Sequence, residues 1–263
     1  LKKILEEFPD NSNFTVFSET PENPTELAVK KATSIYKKQN CDGIICFGGG
    51  SSIDLGKAVA LCCTHNQPLE YYITQNNGSS KIGPVVPVIA IPTTAGTGSE
   101  STPFAVVYIN GVKNSYSDKS ILPDFAIVDS NLLQGQSKYQ MAVSGFDALS
   151  QGIESYWSIN SNKESLNYAE RAINLIWQNL ISAIEGDKIA LERIAEGSNY
   201  AGKAINITKT TGAHALSYFF TEKYNIPHGH SVALFLPSFF TYNYKVDNNN
   251  CIDKRGPIFV KKK

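Results

Sequence analysis

The feature that most constrains the fold is an apolar segment that runs directly into a cluster of glycines. Residues 43–47 (GIICF) precede the glycines at 48–50, and residues 52–63 then carry a helical pattern. A short run without polar residues is typical of a strand covered on both faces of a parallel sheet. Glycines let the backbone approach a ligand, and the helix start offers unpaired N–H groups to an anion. The segment predicts either a phosphate-binding turn or an ordinary tight turn capped by a serine.

Strand and helix patterns alternate through the first half of the chain. We predict strands at residues 13–18, 43–47, 85–91, 104–109 and 125–128, and helices at residues 25–40 and 52–63. Such alternation indicates βαβ units and a largely parallel sheet. Neither a P-loop nor the GxGxxG fingerprint is present in the glycine segment or in residues 96–101.

The second half carries helical patterns alone. Apolar residues recur at three- and four-residue spacing in residues 163–184, and further helices are predicted at 141–157, 189–205 and 214–221. The predicted fold class is therefore α/β plus all-α. We expect an α/β dinucleotide-binding domain in residues 1–135 and a helical metal- and substrate-binding domain in residues 136–263, with a cofactor cleft between them.

A second polar loop follows the strand predicted at residues 85–91. It contains Thr93, Thr94 and Thr97, whose hydroxyl groups can hydrogen-bond a pyrophosphate or a ribose. Two such loops at successive strand ends agree with ligand binding outside the carboxyl ends of a parallel sheet. An ordinary polar turn is the alternative reading of this loop.

Candidate metal ligands are spread over the second half. Asp147 and Gln151 lie four residues apart, on one face of a predicted helix, and His214 and His228 follow later in the chain. A carboxylate and two imidazoles with an open position suit catalytic Zn²⁺ or Fe²⁺. Spacing alone does not decide the matter, because a histidine beside an apolar helix is more often structural.

Composition excludes other classes of partner. Lys and Arg total 24, as do Asp and Glu, so no overall charge favours a nucleic acid or a membrane. The five cysteines show no CxxC pair and no metal-type spacing, which predicts reduced thiols. No apolar run reaches the roughly 18 residues that span a bilayer. A soluble cytoplasmic protein is therefore expected.

Taken together, the motifs resemble the iron-containing (group III) alcohol dehydrogenase family along most of the chain. In order they are ENPT at 22–25, GGGSSID at 48–54, IPTTAGTGSE at 91–100, LPDFAIVD at 122–129, GFDAL at 145–149, GAH at 212–214 and IPHGH at 226–230. The resemblance implies a dehydroquinate synthase-like fold, with a Rossmann-like parallel-sheet domain before a helical metal-binding domain. It also implies a homodimer, and a chain that lacks the family's first strand and helix and part of its helical domain.

The resemblance further implies that the cofactor is NAD or NADP. The residues implied for cofactor binding are Gly49, Gly50 and Ser51 at the pyrophosphate, Thr93, Thr94 and Thr97 along the cofactor, and Lys113 near its ribose.

The metal ligands of the family match three residues here. Asp147, His214 and His228 would bind one divalent ion, Fe²⁺ or Zn²⁺, and act catalytically through it. Gln151 stands where many members have histidine as a fourth ligand, so ligation by Gln151 stays open. Tyr218 stands where many members have a second histidine, four residues after the first. The family's proton donor is therefore not transferable to this chain.

Within the family, residues 147–158, 203–218 and 228–236 resemble the branch that reduces phosphonoacetaldehyde to 2-hydroxyethylphosphonate. Lys203 and Lys209 precede the first candidate histidine ligand, and a dianionic phosphonate needs such charge-assisted donors. Solvated surface charges are the alternative for both lysines. The predicted function is thus the metal-dependent, NAD(P)H-linked reduction of a small aldehyde, with phosphonoacetaldehyde as the first candidate.

Three alternatives remain open from the sequence. The same family includes members that act on uncharged substrates such as glycerol, ethanol or butanal. The related dehydroquinate synthase fold uses NAD and a metal for a lyase reaction. Finally, Gln151 and Tyr218 would also fit a metal-free binding protein without turnover. A substrate panel, the stoichiometry of NADH consumption and metal analysis distinguish the three.

Overall fold

The computed structural model describes residues 6, 8–9, 12–65, 67–75 and 83–262, and the chain forms two compact units. The first unit comprises Leu1–Pro92 and Pro103–Ile127, and the second comprises Thr93–Thr102 and Val128–Lys263. The first contains a parallel sheet and helices, and every regular element described in the second is helical. The predicted fold class, α/β plus all-α, is confirmed.

The first unit is built around a parallel sheet. Its elements are α1 (Glu26–Lys38), β1 (Ile44–Gly48), α2 (Gly50–His65), α3 (Leu69–Gln75), β2 (Val88–Pro92), β3 (Phe104–Ile109), β4 (Val112–Ser117) and β5 (Phe125–Ala126). The parallel strands lie in the order β1-β2-β5, while β3 and β4 form an antiparallel hairpin. Gly48 is aligned with Pro92, so β1 and β2 end at the same edge of the sheet.

Helix α2 packs closely on the sheet because its residues that face β1 are small and apolar. A Cβ atom on Gly56 would lie 2.1 Å from Cys46 Sγ, so no larger residue fits there. Lys57 is nonetheless fully buried, and its ammonium donates to the Phe104 carbonyl oxygen at 2.8 Å. That hydrogen bond, together with one from Val106 N to Asp54 Oδ2, ties α2 to β3.

The structure of this unit differs from the sequence-based predictions at two strands. The strand predicted at residues 13–18 has no strand partner in the described ranges, and Phe14 and Val16 remain exposed. Strand β4 was not predicted, because its sequence is polar. It pairs with β3 through Asn110 and Gly111, which both have positive φ (50° and 76°), as a tight type I′ hairpin requires.

The second unit is a bundle of helices. They are α4 (Lys138–Trp157), α5 (Lys163–Ile184), α6 (Lys188–Thr208), α7 (Gly212–Tyr224), α8 (His228–Tyr244) and α9 (Pro257–Lys262). The predicted range of α5 is confirmed residue for residue, and a capping box between Asn162 and Ser165 fixes its start. Small residues let the first three helices approach closely: a Cβ atom on Gly145 would lie 2.3 Å from Leu180 Cδ1, and one on Gly197 2.8 Å from Ile176 Cγ1.

The loop Thr93–Thr102 belongs to this helical unit. Gly98 has φ 62°, and a Cβ atom added to it would lie only 2.5 Å from the Gly202 Cα atom of α6. The Asn199 side chain, also on α6, donates to Glu100 Oε1 at 3.0 Å and to Ser101 Oγ at 2.7 Å. The two glycines and the amide therefore fix the loop on α6.

Candidate metal centre

One face of α4 carries three polar side chains that define the candidate site. Asp147, Gln151 and Glu154 follow one another at four- and three-residue spacing, so they lie on the same face of the helix. All three are buried, and Glu154 has no exposed surface. Buried polar groups of this kind require partners. Helix α7 supplies them to Asp147 and Glu154, and the Thr97 carbonyl oxygen supplies one to Gln151.

His214 lies near the start of α7. Helix α6 is capped by Lys209, whose φ of 61° redirects the chain before α7 begins at Gly212. This break places His214 between two carboxylates. Its Nδ1 atom is hydrogen-bonded to Glu154, and its Nε2 atom lies 3.2 Å from Asp147 Oδ1.

His228 is the first residue of α8 and brings a second imidazole to the site. Its Nδ1 atom lies 3.3 Å from the Ser217 hydroxyl, which itself donates to the His214 carbonyl oxygen at 2.7 Å. Because that hydroxyl has only one proton, it accepts from Nδ1–H of His228. The two imidazole rings meet edge to face at 5.4 Å, and the Tyr218 ring stacks on His228 at 5.7 Å. Both histidines thus hold a proton on Nδ1, so Nε2 is the nitrogen that each could offer to a metal once it is deprotonated.

A glycine permits the close approach of α8 to α4. A Cβ atom on Gly229 would lie 2.2 Å from the Val143 carbonyl oxygen and 2.8 Å from Asp147 Cβ. The first of these contacts is with backbone, which cannot move aside without shifting α4. This close approach therefore explains why a glycine follows the first histidine of the IPHGH motif.

The three candidate ligands fit a divalent ion. One ligand atom from each of Asp147, His214 and His228 lies within 4.8 Å of the other two. The distance of 3.2 Å between Asp147 Oδ1 and His214 Nε2 is close to the ~3.4 Å expected for neighbouring ligands of a tetrahedral centre with bonds of ~2.1 Å. Closing all three onto one ion requires a contraction on the order of 1 Å. A carboxylate with two imidazoles is a donor set that both zinc and iron accept.

The charges of the site also suit a cation. Burial alone would raise the pKa of both carboxylates, but hydrogen bonds from His214 and its charge hold the pKa of Asp147 and Glu154 below their ordinary values. Burial likewise lowers the pKa of His214, yet hydrogen bonds to the two carboxylates outweigh it and raise the pKa to about 9. Without a metal, His214 is therefore positively charged at neutral pH and lies between the negatively charged Asp147 and Glu154. A divalent ion would replace that positive charge.

Gln151 contacts the site through its amide nitrogen. Nε2 lies between two acceptors, Asp147 Oδ1 at 3.3 Å and the Thr97 carbonyl oxygen at 3.4 Å. Its Oε1 atom is buried and has no hydrogen-bond partner among the described residues. Gln151 therefore connects the candidate ligand Asp147 to the loop Thr93–Thr102, and ligation by Gln151 stays a prediction.

The predicted cofactor residues occur in both units. Gly49, Gly50 and Ser51 form the turn from β1 into α2, and Lys113 lies on β4 opposite Tyr108. Thr93, Thr94 and Thr97 lie in the loop Thr93–Thr102 of the helical unit. There the Thr93 carbonyl oxygen accepts from the Gln136 side chain, and the Thr97 carbonyl oxygen accepts from the Gln151 side chain.

The two predicted substrate residues lie on and after α6, and both are exposed. The Lys203 ammonium lies 5.4 Å from the centre of the Tyr200 ring. Lys209 caps α6, and its backbone N–H donates to the Ile205 carbonyl oxygen. A role for either lysine in substrate binding stays a prediction.

Sequence reasoning did not identify Glu154 or Ser217, which hold the Nδ1 atoms of the two histidines. A signal for Glu154 was present, since it follows Asp147 by seven residues and so returns to the same face of a helix. Ser217 had no comparable signal, because a serine in the first turns of a helix has many uses.

The fold and the site together define a class of protein: chains that join a parallel α/β unit to a helical unit carrying a cluster of one carboxylate and two histidines. Residues 1–130 match the family described as "Iron-containing alcohol dehydrogenase". Residues 141–257 match "Fe-containing alcohol dehydrogenase family, C-terminal". The chain belongs to the iron-containing alcohol dehydrogenase family, which confirms the predicted resemblance.

Individual relatives agree with this membership. The probable alcohol dehydrogenase EutG of Salmonella typhimurium is 34% identical over 236 residues, which cover 88% of this chain and 59% of EutG. The phosphonoacetaldehyde reductase of Streptomyces viridochromogenes is 32% identical over 229 residues, which cover 84% of this chain and 58% of that protein. The chain thus spans less than two thirds of the length of these curated relatives.

Solved structures extend the match to three dimensions. The sulfoacetaldehyde reductase from Bifidobacterium kashiwanohense, in complex with NAD⁺, has a TM-score of 0.88 and 32% identity, over 95% of this chain and 67% of that one. An iron-containing alcohol dehydrogenase from Thermotoga maritima has a TM-score of 0.84 and 33% identity, over 99% of this chain and 73% of that one. None of the helices in the described ranges is long and apolar enough to span a membrane.

Proposed function

We propose that this protein catalyses the metal-dependent, NAD(P)H-linked reduction of a small aldehyde to an alcohol. The observation that carries the proposal is the cluster of Asp147, His214 and His228 in a chain of this family. Relatives include alcohol dehydrogenases, and one solved relative holds NAD⁺. We assign cofactor binding to residues 1–135 and metal and substrate binding to residues 136–263.

The side chains of the site support this chemistry. A divalent ion held there would polarise a carbonyl oxygen, and the nicotinamide would supply the hydride. Asp147 contributes the negative charge that favours a divalent ion over a neutral molecule. Its hydrogen bond from Gln151 connects the metal centre to the loop with Thr97, to which we assign cofactor contacts. The metal site and the cofactor loop would thus be positioned by one side chain.

Cofactor binding at the glycine turn rests on backbone geometry. Gly48 has φ 153°, and a Cβ atom there would lie 2.4 Å from Ser52 Oγ. The Gly49 carbonyl oxygen accepts from Ser52 N at 3.0 Å and so starts α2 directly after the strand. The helix N-terminus that results supports a pyrophosphate site at Gly49, Gly50 and Ser51. Lys113 is assigned to the ribose on the resemblance alone.

For the substrate we propose an aldehyde that carries an anionic group, with phosphonoacetaldehyde first. Two of the relatives support this choice, since one is named for phosphonoacetaldehyde and another for sulfoacetaldehyde. Lys203 and Lys209 are the cations assigned to the phosphonate. EutG and the 1,3-propanediol dehydrogenase of Citrobacter freundii, at 34% and 33% identity, favour an uncharged substrate as the second candidate.

We also place the protein in the cytoplasm as a homodimer. The cysteines are all free, as a reducing compartment favours. The dimer rests on the family resemblance alone, and analytical ultracentrifugation tests it directly.

The deciding experiment measures NADH and NADPH oxidation by the protein loaded with Fe²⁺ or Zn²⁺ and by the protein after exhaustive chelation. Substrates are phosphonoacetaldehyde, sulfoacetaldehyde, butanal and the aldehyde of glycerol. We expect stoichiometric oxidation of the cofactor by the loaded protein alone, and fastest with an anionic aldehyde. Full activity after chelation would contradict the metal site. A preference for butanal would leave the dehydrogenase proposal standing but contradict the phosphonate assignment.

A further inference from the structure

Glu154 is a fully buried carboxylate that the proposed chemistry does not use directly. Each of its oxygens has a defined donor. Oε1 accepts from Thr211 Oγ1 at 2.7 Å and from Ala213 N at 2.9 Å, and Oε2 accepts from His214 Nδ1. The first turn of α7 thus directs its unpaired N–H groups at this carboxylate, which the positive end of the helix stabilises.

The position of Glu154 determines which imidazole nitrogen of His214 carries the proton. An ionised carboxylate only accepts hydrogen bonds, so Nδ1 must be the donor. With a metal bound, Nε2 would give up its own proton, and its lone pair would face the point beside Asp147 Oδ1, 3.2 Å away, where the candidate metal ligands converge. The opposite tautomer would leave Glu154 facing a bare nitrogen and would point a proton at the metal site.

A chain of hydrogen bonds fixes Glu154 from behind. The Trp157 indole N–H donates to Thr211 Oγ1 at 3.0 Å, and the Thr211 hydroxyl uses its single proton toward Glu154. Trp157 is in turn packed edge to face against Phe240 of α8, with ring centres 5.1 Å apart. Trp157 donates to Thr211, and Thr211 and His214 each donate to Glu154, so each group keeps one orientation.

We propose that Glu154 is a positioning residue of the metal centre, which holds His214 as the Nδ1–H tautomer and aims Nε2 at the ion. This inference rests on the proposed metal site. A carboxylate behind an imidazole ligand also makes that ligand more basic, and the loss of such partners typically lowers metal affinity about 10- to 100-fold.

The test compares Glu154→Gln with a matched substitution elsewhere in the helical unit. Glutamine keeps the shape but offers both an acceptor and a donor, so it no longer imposes one tautomer. The control is Asp187→Asn, because Asp187 is also a carboxylate that accepts a backbone N–H at a helix start, from Ala190 N at 2.8 Å. Asparagine caps helices as well as aspartate does, and Asp187 contacts no histidine among the described residues.

Two measurements follow the metal rather than the turnover. The Zn²⁺ affinity is obtained by competition with a chromogenic chelator, and the tautomers of the four histidine rings are read from long-range ¹H–¹⁵N correlation spectra of the Zn²⁺-saturated protein. We expect a 10- to 100-fold loss of affinity in Glu154→Gln, with a shift or loss of the Nδ1–H signal of His214. Asp187→Asn should match the wild type in both.

The outcomes separate the inference from the proposal beneath it. Wild-type affinity together with an unchanged His214 signal in Glu154→Gln would overturn the positioning role while leaving the metal site intact. A wild-type protein that binds no Zn²⁺ would refute the metal site and the inference with it. If Glu154→Gln does not fold, Glu154→Asp carries the test, since it keeps the charge but withdraws the carboxylate from His214 Nδ1 by one methylene group. An unchanged affinity and Nδ1–H signal in that variant would likewise overturn the inference.

Discussion

Replacing His228 by alanine isolates the contribution of one proposed metal ligand. Asp147 and His214 are less suitable, because both are buried and removing either leaves a buried charge unpaired, at about 3–5 kcal/mol. His228 is only half-buried, and in the absence of metal its replacement loses the hydrogen bond to Ser217 and the ring contacts with Tyr218 and His214, worth about 0.5–1.5 kcal/mol each. The His228→Ala protein should therefore fold, and its defect should appear when metal is added.

The expected magnitude follows from the ligand count. Structural zinc sites contribute about 10–16 kcal/mol, so one ligand among three or four is worth about 3–4 kcal/mol, or about 150- to 900-fold in affinity. With Zn²⁺ at about 1,000 times the wild-type Kd, binding stabilises the wild type by about 4 kcal/mol but the variant by only about 1 kcal/mol. At about 2–4 °C per kcal/mol, the Zn²⁺-induced rise in Tm should fall from about 8–16 °C to about 2–4 °C.

Thermal unfolding with and without Zn²⁺ measures this difference. The control is His230→Ala, because His230 lies two residues along α8, is exposed, and bonds to Tyr139 instead of the cluster. We expect His230→Ala to keep the full Zn²⁺-induced rise. An equal rise in wild type and His228→Ala would refute the assignment of His228 as a ligand.

The remaining predictions concern the cofactor, the substrate and the thiols. Gly50→Val should block the pyrophosphate at the start of α2 and spare Zn²⁺ binding; unchanged NADH affinity by calorimetry in a folded variant would reduce the turn to a structural role. Lys209→Ala should raise KM for phosphonoacetaldehyde about 5-fold, since an exposed ion pair contributes up to about 1 kcal/mol, and leave KM for butanal unchanged; equal changes would speak against a phosphonate contact. Burial raises the pKa of the Cys46 thiol to about 12, so alkylation of the folded protein followed by mass spectrometry should modify the partly exposed Cys41 and Cys251 and not Cys46; rapid modification of Cys46 would contradict its burial.

Local patterns in the sequence predicted most of the long helices. The range of α5 was predicted in full, because its apolar residues repeat along one face and Asn162 caps its start. The hairpin between β3 and β4 was missed although Asn110-Gly111 is a strong turn signal. The strand expected at residues 13–18 was wrong, because alternation alone supplies no partner strand.

The contacts of the site depended on packing that no local pattern contains. Asp147, His214 and His228 were candidates from their residue types and matched the ligands of the family, and the structure brings them together. Glu154 is 60 residues away from His214 in sequence, and their contact exists because the first turn of α7 meets α4. Residue spacing gives the face on which Glu154 lies but not the helix that this face meets.

The placement of Thr93–Thr102 with the helices has a consequence for synthesis and for engineering. The chain passes from one compact unit to the other three times, after residues 92, 102 and 127. On the ribosome, the loop Thr93–Thr102 is therefore synthesised some hundred residues before Asn199 and Gly202. It can reach its native contacts only after α6 has been made. For the same reason no single cut yields two self-sufficient fragments. A helical half expressed on its own would leave the Gly202 surface of α6 without the ten residues that cover it.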